Sequence, residues 1–307
     1  MKFRQLGNSE LNVSEIGLGT MSLSTDPKEA ARVIDAAFDA GIRFFDTADL
    51  YDGGRNEEVV GQALKEKRSD IILATKVGNK MNPDGKSWVW DPSKEHIMNG
   101  VKDSLHRLGV DDIDLYQLHG GTIEDAYEET IDAFEQLKKE GVIRAYGISS
   151  IRPNVIDRFI EHSKIDSVMM QYSLLDRRAE LLFPLIGKGG ASVITRGSVA
   201  KGLLTKELEK RRKEVDGYVG FDDPALQEAL DIIEAIHEDT QALATRFILE
   251  ESTVASALIG ARTEEQLKEA IRAYEASQSE DVQQAVRYLS IALPRHEYTD
   301  HLIPKKD

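Results

Sequence analysis

Short apolar segments alternate with longer amphipathic segments along most of this chain of 307 residues, which restricts it to a small set of folds. Several short segments are apolar at consecutive positions, as strands are when helices cover both faces of a parallel sheet. Eight such strand–helix units in a chain of this length predict a closed (β/α)8 TIM barrel, with a doubly wound sheet as the alternative. The predicted strands occupy residues 15–20, 43–46, 71–77, 113–119, 144–150, 167–172, 192–195 and 255–260.

The predicted helices lie between and after these strands. The first has the clearest start, because Asp26 suits the N-cap, Pro27 the first helical position and Glu29 the third position of a capping box. Gly41 ends this helix. The other helices, including the extra ones near the C-terminus, are predicted at residues 56–67, 93–108, 122–141, 153–163, 177–188, 225–237, 241–251, 264–276 and 281–289.

Three further segments complete the predicted architecture. Residues 1–14 predict an N-terminal hairpin, with its turn at residues 7–9, that caps the barrel floor. Residues 78–92 and 197–222 are too long for ordinary strand–helix loops, and long loops in compact domains are often functional. Because no low-complexity linker interrupts the pattern, we predict a single domain over residues 1–307.

The composition excludes several classes of function. A net charge of −15 repels phosphate backbones, so we expect no nucleic-acid partner. The absence of cysteine excludes disulfides, thiolate metal sites, iron–sulfur clusters and thiol nucleophiles. The histidines form no metal-ligand pair, no apolar run is long enough to span a bilayer, and the N-terminus has no apolar signal-peptide region. We therefore expect a cytoplasmic enzyme without a metal or a membrane partner.

Polar residues at the ends of the predicted strands form the candidate site, because the C-terminal ends of barrel strands face the active site. They are Asp46, Thr47, Lys76, His119, Ser149, Ser150, Gln171 and Arg196, with Tyr51 on the loop after Asp46. Lys76 closes an apolar strand and needs a counter-charge, which Asp46 can supply from the neighbouring strand. A lysine ammonium favours a nearby phenolate, and an imidazole can donate to a carbonyl oxygen. The group predicts a general acid–base site, with a buried ion pair as the alternative.

These residues stand in motifs that resemble the aldo-keto reductase superfamily, in particular its bacterial general-reductase branch. The motifs follow one order over nearly the whole chain, at residues 45–51, 56–58, 61, 74–77, 112–119, 141–149, 170–172, 196–197 and 200–204. The resemblance implies a (β/α)8 barrel that binds NADP(H) in extended form without a Rossmann motif. Consistent with this, Gly17 and Gly19 are not followed by the third glycine of a dinucleotide fingerprint.

The resemblance also implies the roles of individual residues. Asp46, Tyr51, Lys76 and His119 correspond to the family's catalytic tetrad, in which Tyr51 is the general acid. The implied NADPH site comprises Ser149, Ser150, Gln171, Arg196, Gly197, Ser198, Ala200, Gly202, Leu203, Gly260, Arg262 and Gln266. In that site Ser149, Ser150 and Gln171 correspond to the residues that contact the nicotinamide amide.

Three positions of the cofactor site depart from the family pattern. Ser150 and Ala270 stand where asparagines are usual, and Arg196 stands where an aromatic residue often stacks on the nicotinamide. A guanidinium plane can also lie on a ring. Arg262 follows the last strand, where the family binds the adenosine 2′-phosphate, so NADPH is predicted to be preferred over NADH. A solvated surface charge is the alternative for Arg262.

Aromatic and apolar residues near the strand ends are candidates for contact with the substrate. Trp88 and Trp90, on segment 78–92, and Met21 are expected to line the substrate cleft. The alternative for the two tryptophans is that they only anchor the loop. The charged run at residues 207–214 is expected to form a solvated helix, with closure over the cofactor as the alternative.

Together these observations predict an NADPH-dependent carbonyl reductase that converts aldehydes, and some ketones, to alcohols. One alternative is a non-catalytic NADP(H)-binding regulatory or scaffold protein of the same superfamily. Another is an isomerase or aldolase in which Lys76 forms a Schiff base. The expected partner is a small-molecule carbonyl compound, and the expected state is a monomer, with an oligomer left open.

Overall fold

A computed structural model describes residues 1–82 and 87–304 of the chain. Residues 83–86 of the predicted loop 78–92, and residues 305–307 of the predicted domain, lie outside the described residues. The first elements are two short antiparallel strands, β1 (Phe3–Gln5) and β2 (Asn12–Ser14). They confirm the predicted N-terminal hairpin.

The central element is a closed barrel of eight parallel strands. The strands after the hairpin are β3 (Ile16–Gly19), β4 (Phe44–Asp46), β5 (Ile72–Val77), β6 (Asn79–Met81), β7 (Trp88–Trp90), β8 (Ile113–Leu118), β9 (Ile143–Ser149), β10 (Ser167–Gln171), β11 (Ser192–Arg196) and β12 (Val254–Gly260). All of these except β6 and β7 pair in chain order, and β12 pairs with β3 to close the ring. The predicted (β/α)8 fold is confirmed, since a doubly wound sheet would have two open edges.

Helices surround the barrel. In the described ranges they are α1 (Pro27–Asp39), α2 (Arg55–Leu64), α3 (Lys94–Leu108), α4 (Tyr127–Lys139), α5 (Pro153–His162), α6 (Phe183–Lys188), α7 (Leu208–Arg211), α8 (Asp223–Ile236), α9 (Thr240–Glu250), α10 (Glu264–Ala276) and α11 (Glu280–Ala292). Asp26 caps α1 as predicted, because its carboxylate accepts from the backbone N–H groups of Lys28 and Glu29 at 2.8 and 3.2 Å. No helix of the described ranges is long and apolar enough to cross a membrane.

Two predicted helices differ in the structure. The predicted helix at 177–188 is divided into a 3-10 segment, Arg178–Leu181, and α6. Pro184 has no N–H group to donate to the carbonyl of Glu180, so a continuous helix cannot form there. The helix predicted from residue 122 begins at Tyr127. The Asp125 carboxylate accepts from the N–H and hydroxyl of Thr122 at 2.6 and 2.7 Å, which closes a turn instead of a first helical turn.

The hairpin fills one end of the barrel, so the other end is left for a site. Leu6, Leu11 and Val13 are fully buried or nearly so. They pack in one cluster with inward-facing strand residues, namely Phe44, Ala74, Leu115, Ala145, Met169, Ile194, Ala255 and Leu258. The larger core lies between the barrel and its helices. Burial of this apolar surface is the main favourable contribution to folding, and it fixes the strand ends in space.

Candidate active site

A cavity of about 1160 Å³ opens at the C-terminal end of the barrel strands. It exceeds the roughly 300–1,000 Å³ of pockets that hold drug-sized ligands. The predicted site residues that line it are Met21, Asp46, Tyr51, Trp88, Trp90, His119, Ser149, Ser150, Arg196, Gly197, Ser198, Gly202, Gly260 and Gln266. The barrel therefore brings most of the predicted catalytic, cofactor and substrate residues to one cavity.

Lys76 lies directly behind the wall of this cavity, and 1% of its surface is exposed. Its ammonium donates to Asp46 Oδ2 and to the backbone oxygen of Thr47, both at 2.7 Å, and it is 3.4 Å from the Tyr51 hydroxyl oxygen. These contacts use all three N–H groups of the ammonium. Burial favours the neutral amine, but Asp46 and Tyr51 outweigh it, so the pKa of Lys76 lies above its ordinary value. The cation is thus held in place beside the phenol.

His119 follows β8, and its backbone N–H donates to the oxygen of Val77 at 2.7 Å. Its ring meets that of Tyr51 edge to face, with the ring centroids 6.0 Å apart. Burial, together with the positive charges of Lys76 and Arg196, lowers the pKa of His119 to about 3. The imidazole is therefore neutral at physiological pH, with one N–H to donate. Its Nδ1 atom has no hydrogen-bond partner among the described residues.

Two buried amide side chains that sequence reasoning missed support the acid–base group. Gln117 donates to Asp46 Oδ1 at 3.4 Å. Gln117 lies in β8, two residues before His119, which directly follows the strand. Alternation along a strand places both side chains toward the barrel interior, so this spacing could have predicted the position of Gln117. Asn56 accepts from the hydroxyls of Thr20 and Thr47 at 2.7 and 2.8 Å, which ties the ends of β3 and β4 together. These contacts keep Asp46 and its neighbours in place.

The two tryptophans have different surroundings. Trp90 packs on Gly78 and Gly120, where an added Cβ atom would lie 2.7 and 3.0 Å from the indole ring. Its N–H donates to Asp125 at 2.9 Å, so Trp90 both lines the cavity and anchors the β6–β7 hairpin. Trp88 lies on the same hairpin at the rim of the cavity and is 54% exposed. Met21 also lies at the rim and is 67% exposed.

The predicted cofactor residues fall into two groups, those that line the cavity and those that do not. Ser149 and Ser150 lie where β9 ends, the Arg196–Ser198 turn follows β11, and Gly260 ends β12. The predicted residues that do not line the cavity are Gln171, Ala200, Leu203 and Arg262. Of these, Arg262 is exposed, and its backbone N–H donates to the side chain of Gln266 at 2.8 Å. The other three lie behind the cavity wall or in the core.

Charged residues border the cavity beside α10. Glu265 and Glu269 contribute carboxylates there, neither of which sequence reasoning placed in the site. Glu269 is paired with Lys206 at 2.8 Å, so one of these two negative charges is compensated. Within the predicted solvated helix at 207–214, only the short helix α7 forms, and Arg212 pairs with Asp231 at 2.6 Å. This segment is therefore packed against α8 and borders the cavity at Arg211.

The geometry defines what the site can do chemically. An oxygen atom bound between Tyr51 and His119 would receive two hydrogen bonds from the protein. The Lys76 ammonium behind Tyr51 would stabilise the negative charge left when the phenol gives up its proton. The Lys76 amine is not available as a nucleophile, because all three of its N–H groups are engaged. The arrangement is suited to proton transfer to an oxygen.

Comparison with known proteins finds similarity over most of the chain. The model of the aldo/keto reductase family matches residues 15–290. The chain is 50% identical over 281 residues to the uncharacterized oxidoreductase YqkF of Bacillus subtilis, covering 90% of this chain and 92% of that protein. In an alignment 328 positions long, it is 31% identical to the NADH-specific methylglyoxal reductase of Escherichia coli, and the alignment covers 96% of this chain and 100% of the relative.

A solved structure is similar over nearly the full length. The holo form of the aldo-keto reductase AKR11C1 from Bacillus halodurans aligns with a TM-score of 0.90 at 48% identity, covering 98% of this chain and 99% of that chain. The apo form of the same protein aligns with a TM-score of 0.82. The similarity therefore extends over nearly the whole chain.

Proposed function

Because the chain belongs to the aldo/keto reductase family of oxidoreductases, we propose that it is an NADPH-dependent carbonyl reductase that converts aldehydes, and some ketones, to alcohols. The observation that carries this proposal is the position of Tyr51, His119 and Asp46 on the cavity wall, with Lys76 behind them and paired with Asp46. The cavity is large enough for a dinucleotide and a small substrate together.

In the proposed mechanism, each residue of the tetrad has one task. NADPH, which the predicted cofactor residues around Ser149, Arg196 and Gly260 would hold, would supply the hydride that the carbonyl carbon of the substrate accepts. Tyr51 donates its proton to the carbonyl oxygen, and His119 donates a hydrogen bond to the same oxygen. The ammonium of Lys76 stabilises the resulting phenolate, and Asp46 holds that ammonium in position.

The same proposal assigns the cofactor preference to Arg262. Its guanidinium makes no ion pair or hydrogen bond with the residues that the structure describes, and it follows β12 beside Gln266. A free guanidinium there can bind the 2′-phosphate that distinguishes NADPH from NADH. The carboxylate of Glu265 opposes this preference. The E. coli relative is named NADH-specific, so a preference for NADH is the competing outcome.

The rim of the cavity supports an apolar substrate class. Met21, Trp88 and Ile151 line the cavity and are exposed by 67%, 54% and 42%. Exposed apolar residues grouped at a cavity mouth usually bind apolar groups of a ligand. We therefore propose that aldehydes with an apolar substituent are better substrates than small hydrophilic ones.

The test is reduction of a panel of aldehydes and ketones, followed through the loss of reduced-cofactor absorbance with NADPH and with NADH. We expect turnover of apolar aldehydes with NADPH. Cofactor binding without turnover of any carbonyl compound would instead support the regulatory or scaffold alternative. From the sequence, we also expect a cytoplasmic monomer of one domain, and these three points stay predictions.

A Schiff base at Lys76 is the remaining alternative. A nucleophilic lysine must be a neutral amine with a free lone pair, whereas Lys76 is held as an ammonium with three acceptors around it. Borohydride trapping with carbonyl substrates should therefore leave Lys76 unlabelled. A covalent adduct at Lys76 would favour the aldolase or isomerase assignment.

A further inference from the structure

Asp176 is a buried carboxylate behind the cavity wall, and sequence reasoning gave it no role. It is 1% exposed and lies in a tight turn after β10, where its N–H and C=O groups pair with those of Ser173 at 3.1 Å. Arg178 donates to both of its carboxylate oxygens, from Nε at 2.8 Å and from Nη2 at 2.9 Å. Two-point contact of this kind fixes the plane of the carboxylate.

The remaining contact of the Asp176 carboxylate is with Gln171. The amide nitrogen of Gln171 donates to Asp176 Oδ2 at 2.9 Å and to the Tyr218 hydroxyl oxygen at 3.2 Å. An ionised carboxylate only accepts hydrogen bonds, so it determines which end of the amide faces it. The amide oxygen of Gln171 must therefore point the other way, toward the cavity wall.

On that side, the Gln171 amide oxygen accepts from Nη1 of Arg196 at 3.2 Å. Arg196 lines the cavity, whereas Gln171 does not. If the amide were rotated by half a turn, its NH₂ group would face the guanidinium, and two donors would oppose each other. The orientation imposed by Asp176 is thus the one in which Gln171 can hold Arg196.

We propose that Asp176 is a positioning residue for the nicotinamide end of the cofactor, acting through Gln171 on the guanidinium of Arg196. This inference rests on the proposed function and on the predicted position of Arg196 against the nicotinamide. In this proposal Asp176 does not contact the cofactor; it orients the side chains that place the nicotinamide. The ring centroid of Tyr298, in the segment after α11, lies 5.1 Å from the Arg178 guanidinium carbon, so the ring packs against the arginine of the ion pair.

The test compares ligands with and without nicotinamide. Asp176→Asn keeps the size of the side chain but can donate as well as accept, so it no longer selects one orientation of Gln171. We expect NADPH to bind about ten-fold more weakly or worse. The same ligand without nicotinamide, 2′-phospho-ADP-ribose, should bind almost unchanged, as measured by calorimetry. If the wild type prefers NADH, then NADH and ADP-ribose are used instead.

A matched control is available at the other end of the barrel. Asp114 is also 1% exposed, and it accepts from Arg68 and Arg144 near the start of β8. Asp114→Asn removes a buried, arginine-paired carboxylate of the same kind, so it should lower stability without changing the affinity for either ligand. If Asp176→Asn does not fold, Arg178→Lys leaves Asp176 with a single-point contact and should show a smaller loss with the same selectivity.

Coupling between the residues supplies a second readout. In an Arg196→Met background, Asp176→Asn should have no further effect on NADPH affinity, because the group that it positions is gone. Equal losses for both ligands, no loss for either, or additive losses in the double variant would each overturn the positioning role. A wild-type protein that binds neither cofactor would instead contradict the proposed function, and this inference with it.

Discussion

At the scale of single residues, Lys76 connects folding and chemistry. Its ammonium compensates the buried carboxylate of Asp46 and at the same time faces the phenol of Tyr51. Such a pair costs free energy to desolvate, and breaking it leaves one charge buried without a partner. A cation in this position is therefore better explained by the proposed mechanism, in which negative charge develops at Tyr51, than by a contribution to stability.

Lys76→Met should abolish most of the turnover and lower the free energy of unfolding by about 3–5 kcal/mol, because Asp46 stays buried without its partner. Denaturant unfolding and steady-state kinetics measure the two effects. Adding Asp46→Asn to this variant removes the unpaired charge, so stability should recover while turnover does not. A folded Lys76→Met variant with full activity would contradict the arrangement.

Asp49 gives a pH dependence of stability. Burial and the nearby Glu57 raise the pKa of Asp49 from 3.8 to about 7, and its Oδ1 atom has no partner among the described residues. Between these two values the folded protein binds more protons than the unfolded chain, so stability falls as the pH rises through this window.

Asp49→Asn should remove this dependence. The variant should be more stable than the wild type above about pH 7, and the difference should disappear below about pH 3, where Asp49 is protonated in both the folded and the unfolded wild type. Thermal or urea unfolding at several pH values tests this expectation. Asp39→Asn, which changes an exposed carboxylate on α1, is the control. A constant difference at all pH values would contradict the assignment of the titration to Asp49.

At the scale of elements, the two tryptophans of the β6–β7 hairpin are expected to have different roles, one in anchoring the hairpin and one in contact with the substrate. Trp90 is held by Asp125 and packs on two glycines, whereas Trp88 is exposed at the rim. Trp88→Ala should lower kcat/KM for apolar aldehydes by about five-fold, with little effect on small hydrophilic ones. Trp90→Ala should reduce kcat/KM for all substrates and also lower stability. The same loss for both substrate classes in Trp88→Ala would contradict a role in substrate binding.

The connection between β12 and α10 should set the cofactor preference. If Arg262 binds the 2′-phosphate, Arg262→Ala should weaken NADPH binding about ten-fold or more and leave NADH binding almost unchanged. Lys268→Ala, which removes another exposed positive charge from α10, controls for the net charge of this region. Binding titrations with both cofactors decide the point. Equal losses for NADPH and NADH, or a wild-type preference for NADH, would defeat the assignment.

At the scale of the whole molecule, the sequence predicts the barrel because each strand–helix unit carries its own local pattern. Lys76 and His119 could be identified as site residues because they end apolar strands. The proposed role of Asp176, by contrast, depends on its contacts with Arg178 and Gln171, which are set by the turn after β10 and by the ends of two strands. Neither periodicity nor spacing encodes such contacts. The break in the predicted helix 177–188 could have been predicted from the sequence, since Pro184 stands within it.

The barrel as a whole brings Tyr51, His119 and the Lys76–Asp46 pair to one cavity wall, and the central claim is that Tyr51 is the acid of a carbonyl reductase. The most direct measurement is the turnover of Tyr51→Phe with NADPH and an apolar aldehyde, together with its affinity for NADPH. The control is Tyr172→Phe, which removes a hydroxyl that donates a hydrogen bond to Glu180 and does not line the cavity. We predict that Tyr51→Phe loses about 10²–10⁴-fold in turnover while it binds NADPH like the wild type. Wild-type turnover in this variant would contradict the account.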